Sequence, residues 1–200
     1  MSHHLQLSPE LEANLSRMYE EEQEVIRTTD DHWVRPRSLH PDSAAFLSML
    51  ARTAGAKRIL EIGTSVGFST IYLADAMRQA GGRITTVELL PEKSEKARQN
   101  IQAAGLSEYV AQRTGDVREL AGQLTGPWDM VFIDTEKELY LPIFNILSNE
   151  VRVGGLLLAD NVISHAEDLK DYLSIISADR RYETVTIPLG QGIELSRRIR

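Results

Sequence analysis

Acidic residues recur in this chain at the ends of short apolar runs. Glu61 follows Ile59-Leu60, Glu88 follows Ile84 to Val87, Asp116 lies just past Tyr109 to Thr114, Asp134 follows Trp128 to Ile133, and Asp160 follows Leu156 to Ala159. One acid in such a place is commonplace, because Asp also caps the helix that comes next. Five in series describe carboxylates ranged along the carboxyl edge of a sheet, where open α/β sheets hold their ligands. The densest chemistry lies in Asp134-Thr135-Glu136-Lys137 and Asp160-Asn161. Asp134, Asp160 and Asn161 offer hard oxygen donors, and magnesium takes a few of these from a protein and completes its shell with water and substrate. Such an ion makes a bound hydroxyl more acidic. Lys137 is close enough in sequence to take the released proton, provided that desolvation or nearby positive charge lowers its pKa from about 10.4. The plain alternative for Lys137 is a surface lysine at a helix start.

A second group of residues surrounds a glycine-rich turn, Arg58 to Thr70. Ile59, Leu60 and Ile62 form a strand buried on both faces, Gly63 and Gly67 remove side chains that would hold a ligand off the backbone, and Ser69 and Thr70 open a helix. The dinucleotide pattern Gly-x-Gly-x-x-Gly is broken at Ser65, and no Gly-Lys-Ser/Thr phosphate loop is present. With Glu61 beside the turn, a ligand carrying a cation and no phosphates fits better, and S-adenosylmethionine has a sulfonium, an ammonium and a ribose diol. Glu88 lies about twenty residues beyond the turn, the usual offset for an acid that accepts both ribose hydroxyls. Asp116 suits the exocyclic amine of adenine or, without excluding it, the cap of the following helix.

The elements that must position these groups alternate along the chain. Residues 8–30 read as a helix capped by Ser8 with Pro9 in its first turn, and a second helix is capped by Asp42 or Ser43 and ends at Gly55. Between them His32, Trp33, Arg35, Pro36, Arg37, His40 and Pro41 suggest an irregular segment, and the paired His3 and His4 a disordered start. From Lys57 onward strands alternate with helices: Arg83 to Glu88, a helix from Pro91 closed by Gly105, Tyr109 to Thr114, a short helix Val117 to Leu124, Trp128 to Ile133, a helix from about Glu138 to Asn149, and Leu156 to Ala159 after Gly154-Gly155. A helix over about Glu167 to Ala178 precedes Tyr182 to Ile187 and Gly192 to Arg198, joined closely enough for an antiparallel hairpin. The fold class is α/β with a mostly parallel sheet and right-handed crossovers. The whole of 1–200 reads as one domain, with 1–55 a helical lid or dimer segment and 56–200 the cofactor-binding core.

Composition narrows the possibilities. The formal charge of −7 disfavours a nucleic-acid surface, although Arg35, Arg37 and Arg52 could form a local basic patch. With no cysteine there are no disulfides, thiolates or cysteine-bearing zinc sites. No apolar run is long enough to span a membrane and no signal peptide is visible, so a cytoplasmic location is expected.

Glu61-x-Gly63-x-x-x-Gly67 resembles the first motif of class I S-adenosylmethionine-dependent methyltransferases. Phe132 to Tyr140 resembles the metal-and-base motif of the catechol and caffeoyl-coenzyme A O-methyltransferase family, and Val153 to Asn161 its second metal motif. The likeness runs from about Ser38 to the C-terminus. It implies a Rossmann-like, seven-stranded sheet whose last strand inserts antiparallel, a homodimer, and a small hydroxylated aromatic acceptor whose neighbouring hydroxyls chelate magnesium or another divalent cation. It also implies Asp134, Asp160 and Asn161 as metal ligands, and Lys137 with Asp134 as catalytic residues. Glu61, Gly63, Thr64, Ser65, Gly67, Ser69, Glu88, Leu89, Asp116, Val117 and Asp134 would surround S-adenosylmethionine, with Tyr140 beside donor or acceptor. Thr135-Glu136 departs from the commoner Ala-Asp. Val162 to Glu167 lacks the family's Trp- or Gly-bearing loop, so acceptor contacts do not carry over, and His165 is a candidate to touch substrate or move a proton. The competing readings are a tRNA hydroxyuridine methyltransferase of the same fold, a non-catalytic cofactor- or partner-binding protein, and, least of all, a nicotinamide dehydrogenase.

Overall fold

The structure, a computed structural model, describes residues 5–31 and 37–200. The expectations for His3, His4, His32, Trp33, Arg35 and Pro36 lie outside the described residues. Helix α1 spans Pro9–Thr28, and the Ser8 hydroxyl accepts the Leu11 N–H at 3.3 Å. Helix α2 spans Pro41–Thr53. Its cap is neither Asp42 nor Ser43 but His40, whose Nδ1 accepts the Asp42 N–H at 3.2 Å. Pro41 moves the start forward, since its fixed φ suits the first helical position.

The strands are β1 (Arg58–Ile62), β2 (Arg83–Glu88), β3 (Val110–Thr114), β4 (Trp128–Ile133), β5 (Val151–Ala159), β6 (Tyr182–Ile187) and β7 (Ile193–Arg198). They form one seven-stranded sheet in the order β3-β2-β1-β4-β5-β7-β6. The first five run parallel, and β7 lies antiparallel to both β5 and β6, as expected. Helices α3 (Phe68–Ala80), α4 (Pro91–Ala103), α5 (Val117–Leu120), α6 (Tyr140–Leu147) and α7 (Lys170–Ala178) make the crossovers. The expectation that Gly154-Gly155 precedes the fifth strand is corrected: both glycines lie inside β5. The pairing with β4 shifts between Trp128 and Met130, and a Cβ on Gly155 would meet the carbonyls of Arg152 and Asp129 at 2.9 and 3.1 Å. The pair marks a bulge where backbones crowd, not a break.

Side chains alternate across the sheet and build two cores. Ile59, Met130, Phe132 and Leu158 pack with α1 to α4 on one face. Leu60, Ile62, Val131, Ile133 and Leu157 pack with α5 to α7 on the other. No helix among the described residues is long and apolar enough to cross a membrane.

At the carboxyl edge the ladder continues one residue beyond β1, β3, β4 and β5. Gly63 donates to Val87 O (2.9 Å), Gly115 to Glu88 O (2.9 Å), Asp134 to Ile62 O (2.9 Å) and Asp160 to Ile133 O (3.0 Å). Gly63, at φ +102°, fits only because it has no side chain: a Cβ would lie 1.8 Å from Asp134 O. Glu61 faces the α3 side of β1 and is fully buried. Ser69 and Thr86 donate to its carboxyl at 2.7 Å each, and Thr70 at 2.5 Å. Burial raises its pKa to about 7, with the Asp134 charge pushing the same way and the three hydroxyls opposing.

Gly63→Ala should lower the unfolding free energy by more than about 3 kcal/mol in urea titrations. Gly81→Ala, at φ +68° with open space around it, should cost only about 1–2 kcal/mol. Between the unfolded value of 4.5 and the folded value of about 7, the native state holds the Glu61 proton more tightly than the unfolded chain. Glu61 therefore contributes stability that is complete below pH 4.5 and is lost as pH rises through about 7. In Glu61→Gln the pH-dependent loss should shrink by up to about 3 kcal/mol, read as the difference between the two stability–pH curves.

Candidate active site

A cleft of about 990 Å³ runs along the carboxyl ends of the parallel strands. The sheet turns two groups of residues into it. The first belongs to the glycine turn and the ends of β2 and β3, the second to the ends of β4 and β5. Glu22, Ile26 and Asp30 from the end of α1 and its continuation, with Ser38 to His40, supply a further wall.

In the first group, Glu88 is 7% exposed, and its carboxylate accepts the Ser65 N–H at 2.7 Å and the Leu90 N–H at 3.0 Å. Two backbone donors from different loops thus fix its orientation. Ser65 sits at φ +49°, and Thr64 is tied to Thr86, hydroxyl to hydroxyl, at 2.6 Å. Gly63, Thr64, Ser65, Ser69, Leu89 and Val117 all line the cleft. Asp116 lines it too, and it is also the cap of α5: it accepts the Arg118 N–H at 2.8 Å and pairs with the Arg118 guanidinium at 2.5 Å. Arg118 holds the Asp116 carboxyl below its ordinary pKa. Three residues named from sequence are not in the wall. Glu61 is buried behind it, Gly67 makes the αL turn into α3 at φ +89° beside Ala97, and Tyr140 is buried beneath the second group.

In the second group, Asn161 adopts a left-handed backbone at φ +67° and donates Nδ2 to Asp134 Oδ1 at 2.9 Å. Asp160 is 4% exposed, and its Oδ1 has no hydrogen-bond partner. Burial pushes Asp160 up to about 7, with the Asp134 charge adding. Asp134 is pushed up as well, chiefly by burial, against the pull of the Lys137 charge and the Asn161 hydrogen bond. Lys137 Nζ donates to Thr135 O at 2.9 Å and reaches Tyr140 OH at 3.5 Å. Burial lowers its pKa, and the Asp134 carboxylate opposes the shift. A buried corner that weakens the charged forms of two acids and a lysine is prepared for proton exchange or for a counter-ion.

Some neighbours of this corner were not legible in the sequence. Arg37 pairs with Glu136, and its N–H reaches Ser65 Oγ at 3.5 Å, so it links the two groups. Arg52, grouped with it from sequence, bonds Ser48 and Gln79 at the other end of α3. Those two arginines therefore do not form one patch. His165 faces the cleft, as its candidacy requires, with Nδ1 3.0 Å from Asp168 Oδ2 and its N–H on Asn161 O at 2.9 Å. The tip of the β6–β7 hairpin closes this end. Gln191 O accepts the Ile163 and Ser164 N–H groups at 3.1 and 3.0 Å, and a Cβ on Gly190 would come within 2.5 Å of Ser43 Oγ.

Comparison with known proteins gives one consistent answer. A family described as O-methyltransferase matches residues 12–199. Catechol O-methyltransferase of Niastella koreensis is 40% identical over 138 residues, 67% of this chain and 62% of that protein. Catechol O-methyltransferase of Mycobacterium tuberculosis is 42% identical over 121 residues, 59% of this chain and 54% of that protein. The matched stretch thus spans only somewhat more than half the length of these two relatives. Caffeoyl-CoA O-methyltransferase 1 of Eucalyptus globulus is 30% identical across 79% of this chain and 73% of its own. Among solved structures, the O-methyltransferase TomG from Streptomyces achromogenes, in complex with SAM, superposes with a TM-score of 0.81 at 25% identity, covering 94% of this chain and 90% of that one. The O-methyltransferase from Bacillus cereus in complex with SAH gives 0.79 at 26% identity over 93% and 90% of the two chains. The fold, the strand-end residues and the match along nearly the whole chain lead to one assignment: this chain belongs to the O-methyltransferase family.

Proposed function

We propose that this chain transfers a methyl group from S-adenosylmethionine to a hydroxyl of a small catechol-like acceptor, with the help of a divalent cation such as magnesium. The observation that carries the reading is the pairing, within one cleft, of a backbone-clamped Glu88 with the corner of Asp134, Asp160, Asn161 and Lys137. The names of the relatives and the ligands of the solved neighbours support it.

The chain's residues divide the work. Glu88 has two fixed oxygens and would accept the ribose hydroxyls. Asp116 would meet the adenine edge beside Leu89 and Val117, and Ser65 and Ser69 would receive the amino-acid portion near Gly63. Among the described residues no group of three His, Cys, Asp or Glu side chains could hold a metal ion. The cation reading therefore rests on the mixed set of Asp134, Asp160 and Asn161. That set fits: the buried Asp160 Oδ1 lacks a partner, and the Asp134 charge raises the Asp160 pKa, so both would gain from a positive ion between them. Asn161 now presents Nδ2 to Asp134, and a half-turn of its amide would present the oxygen instead. A bound divalent cation would supply acidity to an acceptor hydroxyl. Lys137, whose pKa burial lowers against the pull of the neighbouring carboxylates, would take that proton at Nζ. The walls would hold the acceptor oxygen in line with the methyl group and exclude water.

Incubation with labelled S-adenosylmethionine and caffeic acid should give a methylated product with magnesium and none with EDTA. Asp160→Ala should lower turnover by about 100-fold or more at unchanged cofactor affinity. Glu88→Gln should instead weaken cofactor binding by about tenfold or more in calorimetry. A chain that binds S-adenosylmethionine but methylates no catechol under either metal condition would overturn the small-phenol reading and move the search to unmodified tRNA.

A further inference from the structure

We propose that Tyr140 is a positioning residue that sets the base Lys137 through a single buried hydroxyl. The inference rests on the function proposed above. Tyr140 is fully buried and takes no part in the cleft wall, so direct contact with donor or acceptor is not its role. A phenol offers one O–H and two lone pairs. Here all three face residues of the site. The O–H donates to Asp160 O at 3.2 Å, and the oxygen is approached by Lys137 Nζ and by Asn161 Nδ2, both at 3.5 Å. Lys137 Nζ also lies 5.2 Å from the Tyr140 ring centroid, a cation–π distance that holds the amine over the ring.

Packing alone does not call for the hydroxyl. Tyr140 and Phe144 lie on the same face of α6, and both set their rings edge-on against Tyr172, at 5.7 and 6.0 Å. A phenylalanine therefore serves this layer one turn away. What distinguishes position 140 is the oxygen under the junction of the β4 and β5 ends. Asn161 holds a left-handed backbone there, with its amide 2.9 Å from Asp134 Oδ1 and 3.5 Å from the Tyr140 oxygen. A flexible lysine is a poor base unless something limits its rotamers, and Tyr140 does so from below.

Tyr140→Phe keeps the ring and removes only the oxygen. Its melting temperature and its dissociation constant for S-adenosylhomocysteine should match the parent chain within about twofold for the latter. Turnover should fall by about tenfold or more, with the acceptor KM little changed. Competitive labelling with acetic anhydride, read by mass spectrometry, should modify Lys137 several-fold faster than in the parent, while exposed lysines such as Lys170 keep their rates. Parent-like turnover together with parent-like Lys137 labelling would overturn the proposal. So would a loss of cofactor affinity in step with turnover, because Tyr140 would then act through the fold. Labelling and cofactor binding need no acceptor. A parent chain that methylates no catechol would therefore sink the proposed function, while the Lys137 comparison would still decide the role of Tyr140.

Discussion

The constraint on which the site depends is the continuation of the parallel ladder past the ends of its strands. A parallel sheet fixes neighbouring backbones through evenly spaced, slanted hydrogen bonds. Here that pattern extends to Gly63, Gly115, Asp134 and Asp160, each of which donates to a carbonyl of the adjacent strand. The residues that carry the chemistry are therefore held as part of the sheet, although they lie in the turns. Gly63 shows how tight the fit is, since its α-carbon stands where any side chain would strike the Asp134 carbonyl. The glycine turn and the acidic corner are in effect one contact, so whatever moves one of them moves the other.

Burial then acts differently on the acids that the ladder fixes. Glu61 is surrounded by hydroxyl groups from β2 and α3, which satisfy its carboxyl inside the protein. Glu88 is satisfied by backbone N–H groups and keeps an edge toward the cleft. Asp160 has the least: a buried oxygen with no partner, beside a second carboxylate. Buried polar groups are ordinarily paired, and an exception asks for an explanation. The gradient from a closed network at Glu61 to an open one at Asp160 separates an acid that holds the frame from an acid kept ready for something outside it.

Much of this was legible in the sequence, because strand ends, glycines and acids are local signals. The order of elements, the antiparallel last strand and the convergence of Glu88, Asp134, Lys137, Asp160 and Asn161 on one edge all follow from residues a few positions apart. Glu61 lies behind the cleft wall for a simple reason. Side chains alternate along a strand, and Glu61 shares the face of Ile59, which lies under α3, while Leu60 and Ile62 point the other way. The Arg37–Glu136 pair joins positions far apart in the chain and leaves no local trace. The glycines of β5 carried a true signal of irregular backbone, but a bulge and a break share the same composition. The hydroxyl of Tyr140 belongs to a motif that can be read in sequence, yet its three partners come together only in the fold.

The seating of the hairpin tip against the loop after Asn161 and against the start of α2 bears on the order in which the molecule assembles. The turn that clamps Glu88 is built from elements that follow one another directly, and its contacts close short loops. The opposite end of the cleft is complete only when Gln191 pairs with Ile163 and Ser164 and Gly190 settles beside Ser43, almost 150 residues earlier in the chain. Closing long loops costs entropy before any contact repays it. The nucleotide-sized half of the cleft is therefore the half whose contacts close the shorter loops. The half beside Lys137 is complete only when β7 docks on β5, carrying β6 with it as the outer strand of the hairpin.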